Sequence, residues 1–462
     1  MSSTRSRNSR LRLAALGLAL TMAAGIAGAQ VFGTPDNDFR GSVRATTPLV
    51  LPGSEAEIAG SGFKPGQSVT LLRGETVLNP QPYIADGEGG FKATLAIPAD
   101  AAAGQHPVVV RVANPDAAAV FDLKVSKEVA LSGQDRFDVS AKPLVRGLYQ
   151  VAHGTASDAL FVTAAVGRPP VTQSELLRLD PQTLEVTARI TPAAVPGHDD
   201  GRVFAVYGVG VDDTHGNVWV TNTRDDTVAV YRQSDLSLVK QFDPGVIAHP
   251  RDVVVDAATG RAWASSLGGG VLVAFDTRTL EVVQEVTIPS GERGETFSPM
   301  ALALDPVAHK LYSVSLSTGE VAVLDVATGT VDRVFRVPGV DGAIGVAVDP
   351  RKRRVYVAAQ GSDNLVIADA DSGAVLHDVY VGAGAVYVAF DPQSGLAYVP
   401  TRVAGTIAVV DGDGRIVANL DGGTFPNHVF PDGRGHIFAT NKSRGESDPA
   451  GDQIRRITPK TR

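Results

Sequence analysis

The sequence predicts an all-β protein, a seven-bladed β-propeller preceded by a small β-sandwich. Three observations predict it. A strand–turn–strand unit recurs at near-constant intervals through roughly the last two thirds of the 462 residues, each copy alternates apolar with polar positions, and the stretch before it carries short alternating strands without the repeat.

The chain opens on a different pattern. Arg5, Arg7, Arg10 and Arg12 precede the apolar run LAALGLALTMAAGIAGA, and the small residues Ala27 and Ala29 suit a signal-peptidase site before Gln30. This predicts a signal peptide over residues 1–29, a flexible segment over 30–44, and a periplasmic or secreted destination. A membrane anchor is the competing reading, but the run is short, holds three glycines and lacks a stop-transfer flank. The absence of cysteine excludes disulfide stapling, thiolate chemistry and lipid attachment through an N-terminal Cys. The formal net charge is −8, and loss of the four leader arginines makes it −12. A chain this acidic does not attract phosphate backbones as a whole, so nucleic-acid binding needs a local basic face.

Residues 45–129 read as a separate β-sandwich. SEAEIAGSGFKPGQSVTLLRGETVL alternates, turns at Pro65-Gly66 and alternates again from Ser68 to Arg73. GSGFKPGQSVTLLRG resembles the start of immunoglobulin-like modules of bacterial exported proteins; that resemblance implies spacing, adhesion or docking rather than catalysis. The acidic turn ADGEGG holds Asp86 and Glu88, but a Ca²⁺ site needs six to eight oxygens, and a hairpin turn accounts for it better.

The repeat fills residues 130–462. GVGVDDTHGNVWVTN, DVVVDAATGRAWASS, ALALDPVAHKLYSVS, GVAVDPRKRRVYVAA, YVAFDPQSGLAYVPT and NHVFPDGRGHIFATN align on Asp212, Asp256, Asp305, Asp349, Asp391 and Pro431, at intervals of 44, 49, 44, 42 and 40 residues. A degenerate first copy is YQVAHGTASDALFVTAA. Each copy continues into a third and a fourth strand, and seven four-stranded units close a toroid. The repeated Asp is a turn cap, its carboxylate accepting a backbone N–H. Trp219, Trp263, Tyr312, Tyr356, Tyr398 and Phe438 share one strand position, which predicts packing between blades rather than a stacking platform. The last copy lacks a fourth strand after QIRRITPKTR, and residues 130–144, with DRFDVSAKP at 135–143, are the expected donor.

The motif is WVTN at 219–222 and FATN at 438–441, with looser forms YVAA at 356 and YVPT at 398. In this the chain resembles the YVTN-type seven-bladed propellers of the bacterial and archaeal envelope, over about residues 145–458. The resemblance implies an exported protein; some related propellers bind partners or nucleic acid and others hydrolyse lactones. Asn222 and Asn441 alone carry the terminal Asn in that form, and both read as strand-end hydrogen bonders.

Function in such an architecture sits on the face built by blade-to-blade connections and second-to-third-strand loops. The residues mapped there are His153, Arg224, His249, Arg251, Arg402, Asn427, His428, Lys442 and Arg444, with His153 near the channel mouth. They make either an anion-attracting rim or an ordinary scatter of charge, since Asp199, Asp200, Asp225, Asp226, Glu292, Asp363 and Glu446 map nearby. His153, His249 and His428 converging on the mouth would offer Zn²⁺ or Fe²⁺ three ligands, but no HxxxH or HExxH accompanies them and no carboxylate ring of the kind a calcium-dependent lactonase needs appears. Ser265 and Ser266 lack a nucleophile elbow, and Gly268 to Gly270 lack the Lys and Ser/Thr of a phosphate loop. No catalytic residue, metal site or cofactor is therefore assigned. The leading expectation is a non-enzymatic binding or scaffold protein that recognises an envelope or extracellular protein, a polymer or a small anionic ligand. The alternatives are a lactonase-like hydrolase or lyase at the channel mouth, and single-stranded nucleic-acid binding on the rim.

Overall fold

The computed structural model describes residues 36–460; the predicted signal peptide lies outside them. The described chain is all-β apart from one short 3₁₀ turn at Gln134–Arg136. No helix among the described residues is long and apolar enough to cross a membrane.

Two antiparallel sheets come first. One joins Ser42–Ala45, Glu55–Ser61 and Phe91–Ala96; the other joins Ser68–Arg73, Gly104–Ala113 and Ala117–Val125 with two short edge strands. Their inward positions alternate along each strand, and Ile58, Leu71, Val110 and Phe121 meet in a core that belongs to these sheets alone. The first strand begins at Ser42, inside the stretch expected to be flexible. Asp86 Oδ1 accepts the backbone N–H groups of Glu88 and Gly90, both at 2.9 Å, so the acidic turn is a hairpin cap.

The rest is a repeated four-stranded antiparallel sheet in a propeller-like arrangement. Seven such sheets follow, each in the plain order of the chain except the last, whose outer strand is Phe137–Pro143 paired along its length with Gln453–Pro459. The repeat has a local cause. Asp212, Asp256, Asp305, Asp349 and Asp391 each end an inner strand and accept the N–H groups two and three residues on, fixing the turn into the second strand. Neighbouring sheets then pack through the shared aromatic position. Trp219 of the second sheet lies 5.6 Å from Phe275 of the third, and Trp263 packs on Phe297 and Leu302 toward the fourth. Trp219, Trp263 and Tyr398 are wholly buried. Leu148, Leu160 and Leu177 of the first sheet share a cluster with Phe438 and Ile454 of the last, so the array closes on itself around an axis lined by the inner strands.

The two-sheet unit is latched to this array. Asp363 is buried at the end of a second-to-third-strand turn and accepts hydrogen bonds from Lys124 Nζ, from Ser126 Oγ at 2.7 Å and from the Gly384 N–H at 2.7 Å. Lys124 Nζ also donates to the Gln360 carbonyl, and the Tyr380 hydroxyl donates to the Lys127 carbonyl at 2.9 Å.

Candidate functional site

All inner strands start at one end of the axis, and there the ladders are irregular. The register shifts between Leu148 and Val151, between Pro250 and Val253, and between Pro426 and His428. A bulge takes residues out of the pairing alternation and re-aims their side chains. The residues inside these three bulges include Tyr149, Arg251 and Asn427. Second-to-third-strand turns reach the same end. Gly405, at φ +77°, donates to the Thr401 carbonyl at 2.9 Å and closes the turn that carries Arg402, whose own N–H donates to the Gly384 carbonyl at 2.7 Å. Lys442 follows Asn441, whose side-chain N–H₂ bonds the Thr424 and Ala450 carbonyls at 2.6 and 2.7 Å.

These side chains converge on one phenol. Arg251 donates to the Tyr149 hydroxyl and its guanidinium carbon lies 4.7 Å from the ring centre. Lys442 Nζ is 4.4 Å from the same centre. Asn427 donates to the Tyr149 carbonyl at 2.6 Å and accepts a hydrogen bond from Arg402. Tyr207 stands edge-on to Tyr149 at 4.9 Å. Burial, with Arg402 and Arg251 beside it, holds the Lys442 ammonium down at about 7. Burial likewise lowers Arg402, which stays cationic because guanidinium starts so high.

Five of the seven acids expected to neutralise this rim already have partners. Asp200 pairs with Arg202, Glu292 with Arg336 at 3.1 Å, Glu446 with Arg146 at 2.7 Å and Asp363 with Lys124, while Asp226 accepts the His249 N–H at 2.7 Å. Among the described residues no carboxylate lies within ion-pair distance of Arg251, Arg402 or Lys442. Cations gathered without acids do not suit a divalent metal ion, which needs oxygen or neutral nitrogen donors.

Of the nine residues mapped to the face, Arg251, Arg402, Asn427 and Lys442 come together. Arg224 and His249 flank them: burial lowers the His249 pKa first, with Arg224 and Arg251 adding to it, and Arg224 acts on the Tyr207 hydroxyl. Arg444 is displaced, its guanidinium over Phe425 at 5.3 Å. The three histidines do not converge. His153 ends its inner strand, at the far end of the axis from the mouth, with Nε2 3.4 Å from Asp158 Oδ1. His428 is buried beneath the mouth, its ring 4.1 Å from Tyr387. That position corrects the placing of His153 near the mouth, and the reason is strand direction: His153 follows Tyr149 by four residues down the axis.

A buried polar layer closes the channel below the mouth. Asp252 accepts from Val253 N and Leu302 N at 3.0 Å, from Gln150 Nε2 at 3.2 Å and from the Tyr387 hydroxyl at 3.4 Å. Gln150 Oε1 in turn accepts the Val209 N–H at 2.9 Å. Burial raises the Asp252 pKa and pushes the Tyr387 hydroxyl well above its ordinary value. Ser265 donates to the Met300 carbonyl at 2.6 Å and accepts the Asp252 N–H, which makes it a structural hydroxyl. Sequence reasoning missed Tyr149, Tyr207, Gln150, Asp252 and Tyr387. The available signal was their place at or just before the start of inner strands, with Asp252 immediately after the mapped Arg251.

No protein-family model matches the chain. The uncharacterized protein YncE of Escherichia coli (strain K12) is 25% identical over 264 residues, 54% of this chain and 69% of that protein. Lactonase drp35 of Staphylococcus aureus (strain USA300) is 24% identical over 210 residues, 43% of this chain and 60% of that protein. Among solved structures, virginiamycin B lyase from Staphylococcus aureus has a TM-score of 0.53 at 13% identity, covering 70% of this chain and 99% of that one. Kuenenia stuttgartiensis hydrazine synthase has a TM-score of 0.53 at 17% identity, covering 65% and 94%. The structural likenesses show a shared fold, and the distant relation to YncE agrees with it. The expectation of a purely non-enzymatic binding or scaffold protein is corrected here, because the proteins this chain is similar to include a lactonase by sequence and a lyase of the same fold.

Proposed function

We propose that this protein is an ester-cleaving enzyme, a hydrolase or lyase of lactonase type, that works at the axial mouth on substrates carrying negative charge. The observation that carries the reading is the convergence of Lys442, Arg251 and Arg402 on Tyr149 with no carboxylate paired to them. A neutral amine among fixed guanidinium groups is a base beside an oxyanion site, and both halves act on an acyl carbon. In hydrolysis Lys442 takes a proton from water as its oxygen adds to the carbonyl, Arg251 and Arg402 hold the developing oxyanion, and the Lys442 ammonium returns the proton to the departing alkoxide. In elimination the same amine takes a proton from the carbon next to a carbonyl, and the carboxylate leaves as the double bond forms.

Several supports frame this reading. The repeat, the closing strand and the first-to-last packing cluster support a seven-bladed propeller over residues 130–462 of the YVTN type. The separate core of the two leading sheets supports an immunoglobulin-like module over 45–129. The leader pattern over 1–29 supports a periplasmic or secreted location.

The test is turnover of a panel of lactones, with and without a carboxylate substituent, in water enriched in ¹⁸O. Ring opening with one ¹⁸O incorporated identifies the hydrolase, and an unlabelled product with a new double bond identifies the lyase. Loss of either activity in Lys442→Met ties it to this mouth. No ring opening with any member, or full activity in Lys442→Met, defeats the reading.

A further inference from the structure

The far half of the axis is a separate space. Below the polar layer lies a cavity of about 360 Å³ walled by all the inner strands, with Val211, Val255, Leu304, Val348, Phe390 and Phe430 facing it. Its polar groups at the upper end are His428, Tyr387 and Asp252, and at the lower end His153 and Asp213. Most are already spoken for. Asp213 accepts from Gln233 Nε2 at 3.0 Å and Thr155 N at 2.9 Å, and His153 faces Asp158. Tyr387 donates to Asp252.

His428 is the exception. Its Nδ1 accepts the Val151 N–H at 3.3 Å, so the neutral ring carries its proton on Nε2. The ring is 97% buried and stays neutral, since burial, aided by Arg251, pushes it down to about 3. No protein acceptor meets Nε2–H among the described residues, and the residue lines the cavity. A chamber of ligand size whose side-chain wall is largely Val, Leu and Phe, with one buried unpartnered side-chain donor and no Lys or Arg, fits a definite chemistry.

We propose that this lower chamber binds a small, uncharged, mostly apolar molecule bearing one carbonyl-type oxygen, which accepts a hydrogen bond from His428 Nε2–H. The apolar walls take the body of the ligand, and the polar layer separates it from the cationic mouth. Anionic ligands are excluded because no Lys or Arg lines the wall to compensate them, and Asp213 at the lower end repels them. This site is independent of the ester-cleaving reading, as it shares no side chain with the Lys442 cluster.

The naphthyl ketone Prodan is the probe, being uncharged, apolar and a carbonyl acceptor whose emission shifts to the blue in dry surroundings. Titrated into the full chain, it is expected to saturate one site with a blue shift that is constant from pH 5 to pH 9. His428→Phe is expected to weaken binding about tenfold, the worth of one buried hydrogen bond, and Val211→Trp to abolish it by filling the chamber. Lys442→Met is expected to leave it unchanged. Where His428→Phe does not fold by circular dichroism, Val211→Trp and Phe390→Trp decide. No saturable shift, equal affinity in the chamber variants, or loss of binding in Lys442→Met would overturn the proposal and leave a water-filled channel.

Discussion

Lys442 Nζ sits 4.4 Å from the centre of the Tyr149 ring, on a phenol whose hydroxyl accepts from Arg251. An ammonium so placed is stabilised by the ring but opposed by two guanidiniums and by loss of water, and the opposing effects win: it releases its proton near pH 7 instead of 10.5. Two consequences are measurable.

The first is catalytic. If the neutral amine is the working form, kcat/KM for lactone opening rises with pH through a midpoint of about 7 and levels above it. Lys442→Arg, charged at every accessible pH, lowers the plateau by about 10² to 10⁴-fold, the usual worth of a general base. A pH-rate profile of both proteins checks this.

The second concerns stability. Lys442 has a folded pKa below its unfolded value, so between about 7 and 10.5 the unfolded chain binds more protons and stability rises with pH. Below pH 7 the cost of a buried ammonium is present in full. Lys442→Met therefore raises the melting temperature at pH 6 by about 2 °C, given partial screening at the rim, and leaves it unchanged at pH 10.5. Calorimetry at the two pH values reads the difference.

Arg251 and Arg402 carry no paired carboxylate, so their field is available to an incoming anion. Replacing both by Gln raises KM for a carboxylate-bearing lactone and spares a neutral one. Added salt weakens the wild type toward the double variant, because exposed charge is screened over about 8 Å at physiological ionic strength. Equal salt sensitivity in the two proteins would place anion recognition elsewhere.

Asp252 ties several inner strands together through donors that have no other acceptor. Asp252→Ala strands the Gln150 amide, the Tyr387 hydroxyl and two backbone N–H groups, and costs about 3 kcal/mol or more. Urea unfolding measures it as a lower midpoint with an unchanged slope. Tyr387→Phe, which removes one donor and leaves the carboxylate satisfied, costs no more than about 1 kcal/mol.

Asp363 holds Lys124, Ser126 and the Gly384 N–H at once. Asp363→Ala frees the leading two-sheet unit from the array, and limited proteolysis within residues 127–133 accelerates about tenfold while the array itself stays resistant. Peptide mapping by mass spectrometry locates the cut.

The repeated sheets were legible because the same physics is written many times. Asp212 and its counterparts, the alternating inner strands and the aromatic position of Trp219 each recur, so one misread copy is corrected by the next. The mouth was half legible. Arg251, Arg402, Asn427 and Lys442 could be placed by their offset from the repeat, but the bulges that turn Tyr149, Arg251 and Asn427 toward the mouth break the two-residue alternation on which placement relied. His428 lies one residue past Asn427 and lines the axis beneath the mouth. Asp252 drew no notice at the head of its repeat copy, since nothing in a single sequence marks a carboxylate that will meet Gln150, about 100 residues earlier, and Tyr387, about 135 later. A lactonase-like hydrolase or lyase at the channel mouth stood only among the alternatives, because no local motif marks a turn lysine such as Lys442 as the base proposed for it.

The pairing of Phe137–Pro143 with Gln453–Pro459 sets a timetable for synthesis. The early strand leaves the ribosome about 300 residues before its partner exists. Throughout that wait it is a free edge, and Asp138, Lys142 and Pro143 along it discourage capture by another chain. Every other sheet of the array completes itself locally, within about 40 residues, but the last waits for Gln453–Pro459. A chain clipped or stalled before Gln453 would hold six finished sheets of the array and one sticky seam, and quality control would meet it as an aggregation hazard.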